Sequence, residues 1–385
     1  MILFCVATFL IGFCLLASAT NFPSSGKGKK AKRDSIKNHK IAVGKTIVSP
    51  VGAPVYAPEF GFMVAGGAII SFRTKKSDTS LQRSFLPATV GMSNTGALIF
   101  QSSLTSFWKK NKIQINGAFI LRLMPDHYWG VGYKKAQTTH RSDTTSAYTK
   151  KWLLINPEVN WQFRKNMFLG IGLDINNTTM SELTQQQNSD PNIIHFGTQN
   201  NNNGLGVILK FDSRDVPVNA YKGTLLQLNA YYYGDYLKSD NEYSYLQLDF
   251  RKYIPLFGKA KTLTLQLKSR VSLGSVPYGE MSMVGSPFDL RGYYWGQYRD
   301  RNMIFGIVEW RHKFNKIKSK ELSKIGAVLW AGTGSVSPTL KEFTYWMPNA
   351  GIGVRYELQP RLNLRLDYGV GYNSTGFYFN FSEAF

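Results

Sequence analysis

Apolar and polar side chains alternate with a period of two along most of this chain. In Leu362–Val370 the residues Leu362, Leu364, Leu366, Tyr368 and Val370 share one side, and Asn363, Arg365, Asp367 and Gly369 the other. Ala350, Ile352, Val354, Tyr356 and Leu358 alternate in the same way with Gly351, Gly353, Arg355 and Glu357. So do Leu263, Leu265 and Leu267 with Thr264, Gln266, Lys268 and Arg270. Successive side chains of a strand point to opposite faces, so each run predicts a strand with one apolar face. Candidate strands lie at 56–73, 84–93, 95–108, 112–124, 128–137, 148–163, 167–181, 205–213, 222–236, 242–255, 260–274, 300–314, 325–336, 349–358, 361–372 and 374–381. That makes about sixteen, an even number, as single-chain bacterial barrels prefer. Gln359-Pro360 and Asn373-Ser374 read as tight turns, 182–204 and 275–299 as long loops. The polar stretch from Thr184 through the consecutive asparagines ending at Asn203 falls in the first of these loops.

Alternation alone does not say which face is wet. A soluble sandwich turns its apolar face inward, and a membrane barrel turns it outward. The chain ends Gly376-Phe-Tyr-Phe-Asn-Phe-Ser-Glu-Ala-Phe385, so Phe377, Phe379 and Phe381 form one stripe while Tyr378 and Asn380 face away. A strand that closes a sheet in lipid requires such a stripe. Aromatic residues placed near strand ends (Tyr231, Tyr232, Tyr233, Tyr236, Trp346 and Tyr372) suit the interfacial girdles of a membrane barrel. The expected fold is all-β, a transmembrane antiparallel β-barrel of about 16 strands.

The amino terminus supplies the compartment. Ile2–Leu16 is nearly unbroken apolar sequence, and Ala17-Ser18-Ala19 has the small-residue pattern of a signal-peptidase site. We read residues 1–19 as a secretory signal peptide, with a retained anchor as the alternative. Residues 20–53 read as a basic, disordered periplasmic tail: Lys27, Lys29, Lys30, Lys32, Arg33, Lys37, Lys40 and Lys45 face one acid, Asp34, with little apolar content. Residues 54–385 are then the transmembrane β-barrel. Net charge is +22, yet a secreted chain without a recognition motif points away from nucleic acid and toward anionic lipid headgroups or an acidic partner. The two cysteines, Cys5 and Cys14, lie inside the signal, which leaves no thiol for a disulfide or nucleophile. His39, His127, His140, His195 and His312 lack the close spacing of a metal site, so no metal or cofactor is expected.

The segment Gly274–Arg299 contains Leu290-Arg291-Gly292-Tyr293, followed by Tyr298-Arg299-Asp300. It resembles the signature loop of the BamA/TamA superfamily of outer-membrane assembly factors, the bacterial surface antigen family. Lys210-Phe-Asp-Ser-Arg-Asp215 with Gly223, and the Phe385 ending, extend the resemblance over the region from about Pro54 onward. The resemblance implies a loop between the eleventh and twelfth strands that folds into the lumen and is locked there by Arg291, Gly292, Tyr293 and Glu309. A guanidinium can bridge a loop to a wall bidentately, and a glycine permits the sharp turn beside it. Glu309 shares the lumenal face with Arg311 if Val308 and Trp310 face lipid. Where relatives carry a second acid on the thirteenth strand, this chain has Gly332. It also has only about 35 residues between the signal and the first strand, too few for a periplasmic polypeptide-transport-associated (POTRA) domain.

The resemblance further implies a lateral seam between first and last strands. Gly61, Gly66 and Gly67 would weaken one side of it, and Phe377, Phe379, Phe381 and Phe385 lie on the other. Glu383 is expected where the last strand leaves lipid. Lumenal Lys268, Arg270, Arg355 and Arg365 suggest a cation-lined interior, with Glu357 and Asp367 as local partners. Three functions remain open. The barrel inserts or translocates outer-membrane proteins or lipids, or it is a passive channel or structural barrel, or it is an outer-membrane lipid enzyme. The last lacks a Gly-x-Ser-x-Gly elbow, so no catalytic residue is assigned. Expected partners are outer-membrane lipids, with lipopolysaccharide and assembly-complex proteins as further candidates, and the expected location is the outer membrane of a Gram-negative bacterium.

Overall fold

A computed structural model describes residues 44–78, 80–257, 260–314, 319, 322–359 and 361–385. The signal-peptide reading, and the basic stretch as far as residue 43, lie outside these residues. Sixteen antiparallel strands close one barrel. They are β1 (Ile47–Ala57), β2 (Gly61–Phe72), β3 (Ser84–Ser93), β4 (Leu98–Trp108), β5 (Ile113–His127), β6 (Ala147–Ile155, resuming as Glu158–Arg164), β7 (Met167–Ser181) and β8 (Gln199–Asp212). After them come β9 (Gly223–Tyr233), β10 (Tyr243–Pro255), β11 (Lys261–Gly274), β12 (Asn302–Lys313), β13 (Ile325–Ser337), β14 (Met347–Gln359), β15 (Leu362–Gly371) and β16 (Ser374–Phe381).

Both pieces of β6 pair with β5 on one side and β7 on the other, so they are one strand broken at Asn156-Pro157. Proline has no N–H to give a ladder. The Asn156 side chain compensates by accepting the Ala118 N–H at 2.8 Å.

The apolar face points outward. Val64, Met92, Ile171 and Ile352 are 63%, 65%, 63% and 60% exposed, which in water would be a penalty at every strand and in hydrocarbon is none. Inside, polar and aromatic side chains fill the lumen. Loop 128–146, which carries a helix at Tyr133–Thr138, covers one end, where Tyr133 stacks on Tyr298 and Tyr345 at 5.4 and 4.6 Å between centroids. Connections on this loop end include 182–198 and 275–301. The opposite, turn end includes 165–166 and 213–222.

Four expectations change. The expected tail 20–53 includes β1, because Ile47–Ala53 pairs residue by residue with β2, and the barrel begins at Ile47 rather than Pro54. Pro50 and Pro54 disguise this strand. An unbroken ladder with β2 through both requires no N–H from either, so their missing donors face the other edge, where proline is tolerated. Segment 128–137 is no strand but loop and helix, and the total of sixteen came from one strand missed and one added. Asn200–Asn203 lie in β8, where alternate asparagines face the lumen. There the Asn241 amide donates to Asn200 and Asn202 Oδ1 at 2.9 and 3.0 Å. Of the aromatic residues assigned to girdles, Tyr232, Tyr236, Trp346 and Tyr372 are exposed, whereas Tyr231 and Tyr233 are buried in the lumen.

Candidate functional site

Loop 275–301 enters the lumen as a narrow fold closed by a ladder between Ser282–Val284 and Tyr298–Asp300. Asp289 shapes its tip, accepting the Gly285, Ser286 and Leu290 N–H groups at 2.8, 2.6 and 2.5 Å. The tight turn this makes aims the next side chain, Arg291, at the wall. Arg291 is wholly buried, and its guanidinium makes two bonds: Nη2 to Glu309 Oε2 at 2.5 Å and Nη1 to Asp367 Oδ2 at 2.7 Å. It lies 3.6 Å from the centre of the Trp330 ring. A planar fork, two carboxylates and an aromatic face together satisfy a cation that the low-dielectric lumen would otherwise penalise.

The backbone is built for this approach. Gly292 sits at φ +121°, and a Cβ there would lie 2.8 Å from the Gly371 nitrogen. On β15, a Cβ at Gly369 would lie 2.4 Å from the Arg291 carbonyl oxygen, so loop and strand touch through glycine on both sides. Tyr293 is buried beside them, donating its hydroxyl to Pro348 O at 2.7 Å and accepting the Tyr372 N–H at 2.8 Å. Leu290, Tyr293 and Tyr298 pack with Trp129, Phe305, Ile307 and Trp330 in one apolar cluster.

The second acid comes from a different strand than the resemblance implied. Gly332 lies on the same face of β13 as Trp330, so the thirteenth strand supplies a ring where an acid was expected, and β15 supplies Asp367. Asp367 also accepts Arg355 Nη1 at 2.5 Å, and Glu309 accepts Arg311 Nε at 2.7 Å. Glu357 pairs instead with Lys313. Glu383 does not mark an exit from lipid. The chain turns inward after Phe381, with Ser382 at φ +65°, and Glu383 accepts from Arg355 Nε at 2.9 Å and Asn363 Nδ2 at 2.6 Å. Phe385 follows it into the lumen, 6% exposed, its carbonyl oxygen accepting Arg311 Nη2 at 2.8 Å. It is therefore no part of the lipid-facing stripe.

The seam lies between β16 and β1, not β2, so Gly61, Gly66 and Gly67 stand one strand behind it. Tyr56 and Phe379 are its one registered pair, with the Tyr56 and Phe377 rings 6.1 Å apart. Continuing that register sets Pro54 opposite Phe381, where β16 ends, so Ile47–Ala53 have no strand on this edge. By contrast, β15 and β16 pair from Leu364–Phe381 to Gly371–Ser374.

Loop 275–301 touches both sides of this seam. On the β16 side, Tyr378 Oη accepts the Gly292 N–H at 3.0 Å and Ser374 Oγ donates to Gly292 O at 2.7 Å. On the other, Glu59 in the β1–β2 turn accepts the Trp295 N–H at 2.9 Å. Among the described residues no group of three or more His, Cys, Asp or Glu could hold a metal.

A lumen filled by an inward loop, an arginine held to two walls, and a short closing seam define a transmembrane barrel built around a plug and a lateral junction. The family model that matches is the Omp85 superfamily domain, over residues 93–385, and the chain belongs to that superfamily. No curated protein sequence matches it. Among solved structures it is similar to BamA from Haemophilus ducreyi lacking POTRA domains 1-3, with a TM-score of 0.58 and 13% identity over 88% of this chain and 70% of that one. CdiB from Escherichia coli gives a TM-score of 0.54 and 11% identity, covering 87% of this chain and 62% of that one. For CdiB from Acinetobacter baumannii the TM-score is 0.52 at 11% identity, covering 88% and 60%. Identities this low establish a common fold.

Proposed function

We propose that this protein is an integral outer-membrane barrel of a Gram-negative bacterium that inserts or translocates outer-membrane proteins through the seam between β1 and β16. The observation that carries this reading is the short register of the seam: β16 ends opposite Pro54 and leaves the edge of Ile47–Ala53 without a partner strand. An unpaired edge in lipid offers backbone donors and acceptors that hydrocarbon cannot satisfy, and an incoming client strand can. Pro50 and Pro54 remove two donors from that edge, which opposes pairing between copies of the barrel. Superfamily membership supports the same reading. The loop inside the lumen favours sideways passage over a passive channel. Outer-membrane lipids surround the outward apolar face, lipopolysaccharide is a candidate contact at the loop end, and assembly-complex proteins would deliver clients.

The test is a reversible crosslink. Tyr56→Cys with Phe379→Cys places two thiols on directly opposed residues, a separation within disulfide range. Reconstituted in liposomes, the oxidised variant should lose insertion of a client barrel, and reductant should restore it. Full insertion by the crosslinked protein would remove the seam from the mechanism. Planar-bilayer conductance of a large, steady pore would instead favour the channel.

A further inference from the structure

Four buried arginines of the lumen face three acids. Arg291, Arg311, Arg355 and Arg365 are linked with Glu309, Asp367 and Glu383 in one run of ion pairs. Each of these side chains is at least nine-tenths buried, with four guanidinium groups against three side-chain carboxylates and the Phe385 main-chain oxygen also accepting from Arg311. Burying a cation without its counter-charge is costly, and a buried guanidinium ordinarily uses its full fork of donors. Here several donors are unused. Arg365 has no hydrogen-bond partner on any of its three nitrogens, and its nearest acid, Asp367, is 3.6 Å away.

Two of the unused donors belong to side chains that line one pocket. Arg311 Nη1 and Arg355 Nη2 are both without partners, and both side chains line a pocket at the turn end of the lumen that is partly open to solvent. Glu383, the acid on its wall, is already held by Arg355 and Asn363. Lys313, which also pairs with Glu357, and Lys324 line the same pocket, with Tyr221 and Asn363 on its other walls. Two guanidinium groups with unused donors and two lysines on one pocket suit an anion with several oxygens and more than one charge, since arginine grips such a group bidentately and lysine adds a point charge.

We propose that this cavity binds a phosphate group, supplied as free phosphate or as the headgroup of a lipid. The site is separate from the seam. It tightens β12, β14 and the chain end around one anion, so its occupancy stabilises the half of the barrel that holds Arg291.

The test uses the full chain purified in a nonionic detergent, with thermal unfolding followed at constant ionic strength. Inorganic phosphate, dihexanoylphosphatidic acid, dihexanoylglycerol and acetate are added in turn. A ligand that binds only the folded barrel raises its unfolding midpoint with concentration. The expected result is a rise with the phosphate-bearing probes and none with dihexanoylglycerol or acetate. A rise with phosphatidic acid alone assigns the site to a lipid, and a rise with both assigns it to the phosphate itself. Arg311→Gln also breaks the pair with Glu309, so the decisive variant is Lys313→Gln with Lys324→Gln, which leaves the buried run of ion pairs intact and gives up the partly exposed Lys313–Glu357 pair. It should need about tenfold more phosphate-bearing ligand for the same shift, because two cationic residues lining the pocket are gone. No shift in the parent protein, an equal shift with acetate, or an unchanged response in the lysine variant would overturn the proposal.

Discussion

Loop 275–301 is attached to the two sides of the seam in very different ways. Toward β12, β15 and β16 it is held by Arg291, which bonds Glu309 and Asp367 on a Trp330 face, and by Gly292, bonded to Tyr378 and Ser374. Toward β1 and β2 it is held by the Trp295 N–H on Glu59. Nearby, Arg141 of loop 128–146 donates to Pro58 O at 3.1 Å and lies 5.1 Å from the Tyr294 ring, a weaker polar link on the same side. The first anchorage is charged, multidentate and buried, so breaking it gives up two charge-assisted bonds to carboxylates that keep Arg311 and Arg355. The second exchanges one hydrogen bond for water. A seam that opens would therefore carry the loop with the carboxy-terminal strands and release it from the β1–β2 turn.

The largest expected effect comes from erasing the strong anchorage. Arg291→Ala removes the cation that Glu309 and Asp367 share while Arg311 and Arg355 stay paired with them, a loss on the order of 3 kcal/mol for two hydrogen bonds between charged groups. Limited proteolysis should then cut within 275–301, and Arg291→Lys should not rescue it, because an ammonium cannot span both carboxylates. Survival of a protected loop in Arg291→Ala would dissolve the contrast between the anchorages. A smaller change tests the β16 contact by itself. Tyr378→Phe removes the hydroxyl that serves Gly292 and Tyr293, and should cost about 1 kcal/mol in loop protection measured by hydrogen exchange.

The smallest effect concerns the weak anchorage and has a sign. Burial pushes the Glu59 carboxyl up to about 7, against the backbone bond from Trp295 that lowers it. Within the loop, burial likewise lifts Glu280 to about 7 and Asp300 to about 6. The packed loop binds these protons more tightly than a released one. Packing is thus favoured at low pH and loses that advantage as pH rises from the ordinary carboxyl range through 7. Cleavage of the loop should quicken between about pH 5 and pH 8, and Glu59→Gln should flatten part of that rise. A profile with the opposite slope would exclude these carboxyls as its source.

Much of this was legible along the chain. Alternation in Leu362–Val370 and its counterparts set the strands, because a pleated backbone permits only one assignment of faces once lipid is outside. Arg291, Gly292 and Tyr293 were recognisable as a motif, and Glu309 followed from the parity of its strand. Asp367 was read as a local partner of lumenal arginines, yet its bond to Arg291 spans 76 positions and depends on how the barrel curves. Parity says that both side chains face inward and nothing about which inward groups meet. β1 escaped notice because its prolines are breakers in isolation and harmless on an edge. The helix at Tyr133–Thr138 escaped because a short segment in a lumenal cap is decided by what it packs on, here Tyr298 and Tyr345.

The order of residues alone determined an all-β chain of strands with one apolar face, since a two-residue period is a local property, and the outward turn of that face and the inward loop followed from the aromatic ending and the family resemblance. The tertiary structure alone decided where the barrel closes and which lumenal groups meet. Register between β1 and β16, the inward turn that buries Glu383 and Phe385, and the approach of Arg311 and Arg355 to Glu383 all join residues distant in the chain. Their energies exist only once the cylinder has brought the strands around.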